Sequence, residues 1–314
     1  MLFSSWLRNW KRSAPAARRR TPTSPHQRAS LRPRVEALED RWLPSTLAVT
    51  NTQDHGHGSL RAEIAAAHSG DTIVFSPTLD EKTITLTSSE LDLTKNLTIQ
   101  GPGAGKLTIS GNSPYYYKGR RVFEVAANAK VTLSGLTISD GSGFASLAIG
   151  QWDGYGGDIL NHGTLTVNAC TIDKGHVLNK GGGIFSDGTL TLSGCTVSGN
   201  DASWGGGIWN TGTARLVSST ISSNGASSTS SGYTPNGAGG GIFNHGTLTL
   251  RGCTVSDNYT NSAGGGIYSD GTLTVENSST ITGNTGADVY NFGVLYLDST
   301  STISSLVGKP AIPI

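Results

Sequence analysis

Gly181-Gly182-Gly183-Ile184-Phe185-Ser186-Asp187-Gly188-Thr189-Leu190-Thr191-Leu192-Ser193-Gly194-Cys195-Thr196-Val197-Ser198-Gly199-Asn200 decides the architecture, because it recurs. The same unit starts at Gly156, Gly181, Gly205, Gly239, Gly264 and, degraded, at Gly286, with spacings of 25, 24, 34, 25 and 22 residues. A period of that size suits one turn of a β-solenoid. A leucine-rich repeat of similar length needs a Leu-x-x-Leu-x-Leu-x-x-Asn pattern that is missing, and a propeller blade needs about 40 residues or more.

Each unit carries three strand candidates. One begins at Ile184. The second, Thr189 to Leu192, alternates with period two, which puts Leu190 and Leu192 inside and the threonines outside. Cys195-Thr196-Val197 is the third, ended by Gly199-Asn200. No stretch of the unit is long enough for a helix.

Stacking the units aligns like residues in columns about 4.8 Å apart. Ile159, Ile184, Ile208, Ile242, Ile267 and Val289 form one inner column, and Val167, Leu192, Leu216, Leu250, Val275 and Leu297 a second. All three cysteines fall in a third, with Cys170, Cys195, Ser219, Cys253, Ser279 and Ser301. They read as small buried apolar residues; thiols stacked in register point alongside each other, which disfavours a disulfide. Asn161, Ser186, Asn210, Asn244, Ser269 and Asn291 make one polar column, and Asn200, Asn224, Asn258 and Asn284 another, both suited to amide ladders.

The solenoid begins before the clear repeats. Residues 49–73 read as strand, helix and strand, with Leu60, Ile64 and Ala67 on one helical face. That helix would cap the open end. Strand candidates continue through Thr83–Leu86, Leu97–Ile99, Leu107–Ile109, Val122–Val125 and Val131–Leu133. Lys309-Pro310 and Ile312-Pro313 extend a sheet poorly.

Composition agrees. Of 314 residues 43 are Gly and only 11 Pro, and charged residues are 14%. Collagen, a Pro-rich linker and charge-driven disorder are excluded for most of the chain. No apolar run is long enough for a transmembrane helix. Residues 1–45 hold ten Lys/Arg against three Asp/Glu, whereas 46–314 hold thirteen against nineteen. The expected organisation is a disordered basic arm over 1–45, a parallel β-helix over 46–303 and a C-terminal tail over 304–314. The mildly acidic body lacks a basic patch for nucleic acid.

Two resemblances follow from these residues. Val49-Thr50-Asn51-Thr52, Gly58-Ser59-Leu60-Arg61, Asp71-Thr72-Ile73-Val74-Phe75 and the repeated Gly-Gly-Gly-Ile-Phe-Asn resemble β-helix proteins of the polymorphic outer-membrane-protein type. The likeness implies an all-β fold, a right-handed parallel β-helix (a pectin-lyase-like solenoid) with a short N-terminal capping helix, and implies little about activity. Arg32-Pro33-Arg34-Val35-Glu36-Ala37-Leu38-Glu39-Asp40-Arg41-Trp42-Leu43-Pro44-Ser45-Thr46 resembles the LEPR-type N-terminal motif of large planctomycete surface and secreted proteins, which implies export.

Chemistry is sparse in the sequence. Gly56-His57-Gly58 superficially resembles a polygalacturonase signature but reads as a turn. The turn positions His162, Asp187, Thr211, His245 and Asp270 place His162 beside Asp187 and His245 beside Asp270, a general-base arrangement without an evident nucleophile. No catalytic set, metal site or cofactor is assigned. Three insertions leave the same corner and carry Tyr115, Tyr116, Tyr117, Arg120 and Arg121; Trp152 and Tyr155; and Tyr233. They are the first candidates for ligand binding. An outward aromatic stripe of Phe185, Trp209, Phe243, Tyr268 and Tyr290 is the alternative surface, either stacking on sugars or on itself. The sequence therefore points to a non-catalytic, adhesin-like scaffold, secreted or at the cell surface, binding an extracellular glycan or surface protein. A polysaccharide lyase or glycoside hydrolase of the same fold is the alternative, and should show several carboxylates and a Lys or Arg converging in one groove. Outward Thr-x-Thr rows (Thr164/Thr166, Thr189/Thr191, Thr247/Thr249, Thr272/Thr274), broken at Arg215, leave ice binding as a further alternative.

Overall fold

Three faces of parallel strands run the length of a computed structural model that describes residues 43–113, 119–143, 154–227 and 237–314. Sheet 1 has eleven strands, from Thr46–Val49 to Ile312–Pro313. Sheet 2 has nine, from Leu91–Leu93 to Leu306–Gly308, and sheet 3 nine, from Lys82–Thr85 to Thr302–Ile303. Each coil visits the sheets in the order 2, 1, 3, so every strand pairs with the equivalent strand one coil away. This is the expected all-β right-handed parallel β-helix, the hand being that of nearly all parallel crossovers.

The inner columns align as the repeat predicts. Ile159 pairs with Ile184, Ile184 with Ile208, Ile208 with Ile242, Ile242 with Ile267, and Ile267 with Val289. The second column keeps register from Val167 to Leu297. The 34-residue coil holds register too, since its extra residues leave between sheets 3 and 2. Ile184, Leu190, Leu192 and Val197 are completely buried. Each such side chain contributes roughly 1.5–3 kcal/mol on burial, so the core is a continuous apolar rod rather than a single cluster. The three cysteines are free and buried in that rod. Burial pushes the Cys170 thiol up to about 12, so it stays a protonated packing group.

The glycine triplet is required by contact. The first glycine of each triplet has positive φ (69° at Gly181, 61° at Gly205). The third abuts an asparagine amide: a Cβ on Gly183 would lie 3.0 Å from Asn200 Cγ, and one on Gly207 3.0 Å from Asn224 Cγ. Those asparagines form a buried ladder. Asn200 Nδ2 donates to Asn224 Oδ1, Asn224 to Asn258, and Asn258 to Asn284, each at 2.9 Å. Each Oδ1 also accepts the backbone N–H of the ladder residue one coil below.

Aspartate fills the ladder where asparagine is missing. Asp288 Oδ1 accepts from Asn284 N and Nδ2 at 3.0 and 2.9 Å. At the other end Asp158, in the third-glycine column, pushes its carboxyl between Gly141 and Gly175 and accepts from Gly141 N at 2.8 Å. No donor among the described residues meets its Oδ2. Burial, with Asp173 and Asp140 nearby, holds this carboxyl well above the usual range, so it keeps its proton in the fold. The unfolded chain releases that proton near pH 4. Stability therefore falls as pH rises from there towards the folded value, by about 1.4 kcal/mol per pH unit. Asp158→Asn should flatten this slope and be more stable than the parent at pH 7. A weaker slope remains from Asp201, which burial raises to about 6. Urea unfolding at pH 4 and pH 7 checks this, and identical slopes in the two proteins would contradict it.

The N-terminal cap forms as expected. The helix Leu60–Ala66 is N-capped by Ser59, whose Oγ accepts from Ala62 N at 3.2 Å. Leu60, Ile64 and Ala67 are buried. Lys95 Nζ donates to the carbonyls of Ile64, Ala65 and Ala67 at the helix end. Asp54 ties the cap down: despite the cost of burial, hydrogen bonds from Arg61, Ser88 and Thr87 hold its carboxyl well below the usual range.

Two expectations need correction. The repeat holds a fourth small sheet, Asp201–Ala202, Gly225–Ala226 and Tyr259–Thr260, at the corner between sheets 3 and 2. Its two-residue strands are too short to show periodicity. Residues 304–314 are not simply a tail, since Leu306–Gly308 pairs with Val289–Asn291 and Ile312–Pro313 with Tyr296–Leu297. Proline is tolerated there because nothing pairs beyond an edge strand.

Candidate functional site

The outer face of sheet 2 and the corner beside it gather most of the chemically distinctive side chains. Register puts Phe185, Trp209, Phe243, Tyr268 and Tyr290 in one outward column. In the other direction the column continues through Leu160 and Glu124 to Asp92. An aromatic stripe therefore ends in carboxylates.

The rings stack on one another. Trp209 and Phe243 have centroids 4.0 Å apart and 13° between planes, Phe243 and Tyr268 4.6 Å and 21°, and Tyr268 and Tyr290 6.0 Å and 6°. Their faces look along the solenoid axis, so ring edges look outward. Trp209 is only 7% exposed. Lys180 interrupts the stripe, its Nζ 4.4 Å from the Trp209 ring centroid and 5.8 Å from that of Tyr155. Tyr155 in turn lies 5.0 Å from Phe185, tilted by 44°. At the other end Phe292, 48% exposed, tilts against Tyr290 at 5.0 Å.

The His/Asp column borders the stripe. His162 Nδ1 lies 2.9 Å from both Asp187 carboxylate oxygens, and His245 Nδ1 2.9 Å from Asp270 Oδ1. Both expected pairs form, at exposed turns. Gly56 and Gly58 have φ of 91° and 77°, and Gly56-His57-Gly58 is a turn.

The corner residues divide. Tyr115, Tyr116, Tyr117, Trp152 and Tyr233 lie outside the described residues, as does the arm up to Trp42. Arg120 is exposed and its Nε donates to the Ser88 carbonyl. Arg121 is 6% exposed and already engaged. It donates to Glu90 Oε2 at 3.1 Å, Glu124 Oε2 at 2.8 Å, Gly156 O at 3.1 Å and Tyr155 O at 3.0 Å. It thus ties the Tyr155–Gly156 backbone to Glu90 and to Glu124 of sheet 2. The carboxylates around it were not legible as a group, because 34 residues separate Glu90 from Glu124 and the repeat is weak there. Glu90, Asp92 and Glu124 bring oxygens within 4.8 Å of one another. Burial raises the Glu90 carboxyl, Arg121 opposes that shift, and Glu124 and Asp92 add to it. A cleft of about 200 Å³ between the capping helix and Asp92 opens nearby, lined by Arg61, Ile64, Leu91 and Lys95 among others.

No protein-family model matches the sequence, and a search of curated proteins finds no match. Among solved structures, the pectate lyase Pel9A is similar, with a TM-score of 0.47 and 15% identity over 85% of this chain and 79% of that one. Among the described residues no helix is long and apolar enough to cross a membrane.

Proposed function

We propose that the chain is a non-catalytic, adhesin-like β-helix scaffold, secreted or held at a cell surface, that binds an extended extracellular glycan along the outer face of sheet 2. The observation that carries this reading is the unbroken register from Phe185 to Tyr290 on one face. A contiguous apolar strip rimmed by polar groups marks an interaction surface. A polymer lying along the axis meets the half-buried rings of Phe185, Phe243, Tyr268 and Tyr290, with the Lys180 ammonium over the buried Trp209 between the first two. Tyrosine hydroxyls and the bordering His/Asp turns supply hydrogen bonds to sugar hydroxyls. Arg120 and Tyr155 extend the same surface, and a surface protein using it is the other outcome.

A glycan array with the full chain tests this. Tyr268→Ala should weaken the best-bound glycan about tenfold through loss of one ring and its neighbour's support. Equal binding by parent and variant would remove the stripe from the account. The convergence of Glu90, Asp92 and Glu124 around Arg121 favours the second reading, a polysaccharide lyase or hydrolase. Depolymerisation of any polysaccharide by the parent, lost in Glu124→Gln, would establish that reading in place of the first.

A further inference from the structure

We propose that the outer face of sheet 3 binds ice. The supporting feature is a second surface, separate from the aromatic stripe. Thr83, Thr108, Thr137, Thr171, Thr196, Thr220, Thr254, Thr280 and Thr302 occupy one outward column on nine consecutive strands, without interruption. Two residues along each strand, the next column reads Thr85, Ser110, Ser139, Asp173, Ser198, Ser222, Ser256 and Thr282, of which Ser110 and Ser139 are buried and the others half-buried. The residues between the columns, Ile84 to Ile281, are buried, so on the four strands from Thr196–Ser198 to Thr280–Thr282 each row is hydroxyl outside, branched aliphatic inside, hydroxyl outside.

The result is a rectangular hydroxyl array, about 4.8 Å from row to row and about 6.7 Å along each row. Asp173 is the single charge in it. Every threonine of the unbroken column is half-buried or exposed. Within that column, among the described residues, only the Thr137 hydroxyl is used by the protein, accepting from Gly105 N at 3.1 Å. The rest are available to solvent.

Strand preference explains threonine at an outward position. It does not explain threonine at all nine, because the matching columns of sheet 1 carry Lys130, Arg215, Val294 and Tyr296 among their threonines. A soluble ligand would use a few of these sites and ignore the others. A partner that itself repeats in two dimensions uses them all. Neither column contains an aromatic ring, which separates this face from the sugar-suited stripe on sheet 2. Methyl and hydroxyl groups at fixed spacing are what a lattice of ordered water accommodates: the hydroxyls take lattice hydrogen bonds and the methyls sit beneath the water layer. Stiff χ1 angles on a paired sheet mean that little side-chain freedom is lost on contact.

The test uses the full chain in ice recrystallisation and thermal hysteresis assays. The parent should slow recrystallisation. Thr196→Lys and Thr220→Lys, at the middle of the face, should each lose activity about tenfold with an unchanged circular dichroism spectrum. Thr191→Lys, on sheet 1, should match the parent. If either sheet 3 variant fails to fold, Thr254→Lys, at an already exposed site, is read instead. A parent no more active than serum albumin overturns the proposal, as does a Thr191→Lys variant as impaired as Thr196→Lys. Glycan binding on sheet 2 is unaffected by either result.

Discussion

Asn224→Ala should unfold at far lower denaturant than the parent, losing about 3–6 kcal/mol, because it strands several buried groups at once. Asn224 Nδ2 donates to Val197 O at 3.0 Å and Asn258 Oδ1 at 2.9 Å. Its Oδ1 accepts from Asn200 N at 3.1 Å and Asn200 Nδ2 at 2.9 Å. Truncation leaves the Asn200 backbone N–H and one hydrogen of its side-chain amide without their acceptor in a site with no exposure. Unmade buried hydrogen bonds cost about 1–3 kcal/mol each, more than the net worth of a made one. Asn224→Asp should also be strongly destabilised near neutral pH, since it keeps the acceptor but removes the donor and adds a charge. Urea or guanidinium titrations measure both. A loss below 1 kcal/mol in Asn224→Ala would mean that the ladder is not a stabilising element.

Gly206→Ala should be comparably severe for a different reason. A Cβ there would overlap the Gly225 carbonyl oxygen of the corner strand Gly225–Ala226 and lie 2.7 Å from Gly240 O of the next glycine triplet. Gly225 cannot move without disturbing a paired strand, nor Gly240 without losing the Gly207 N–H it accepts, so the cost should exceed about 4 kcal/mol, in the range reserved for overpacking and broken networks. Gly194→Ala is the control. Gly194 has φ of 61° but open space around its Cβ position. It should lose only the 1–2 kcal/mol of a left-handed backbone conformation. Thermal melts of the two variants separate steric from conformational demand, and equal losses would contradict the close coil-to-coil approach at the triplet.

These two sites show where the sequence is informative. Gly-Gly-Gly-Ile recurs because the backbone must turn through positive φ and then pass under an asparagine, and both demands exclude other residues. The inner columns and the cysteine column followed directly from that recurrence. What escaped were features that keep the fold while breaking the repeat. Asp158 and Asp288 look like losses of the third glycine, yet each carboxyl occupies a gap in the ladder. Arg121 looks like an exposed loop cation but is interior, neutralised by Glu90 and Glu124. That cluster joins residues of separate coils where the repeat is too weak to align them. The threonine column of sheet 3 lies within Cys-Thr-Val-Ser, too short a stretch for its alternation to stand out. The aromatic stripe was legible as a column, whereas the face-to-face stacking of its rings depends on rotamers that sequence does not specify.

The most direct test is a single distance. Thr98 and Thr274 lie in the same outward column of sheet 1, six rungs apart through Thr132, Thr166, Thr191, Arg215 and Thr249. Spin labels on Thr98→Cys and Thr274→Cys, with the three native cysteines left buried, should give a narrow distribution near 29 Å by pulsed electron resonance, six strand spacings of about 4.8 Å. A broad distribution, or a maximum displaced by more than about two spacings, would mean that the coils do not stack in this register, and every column described above would be lost with it.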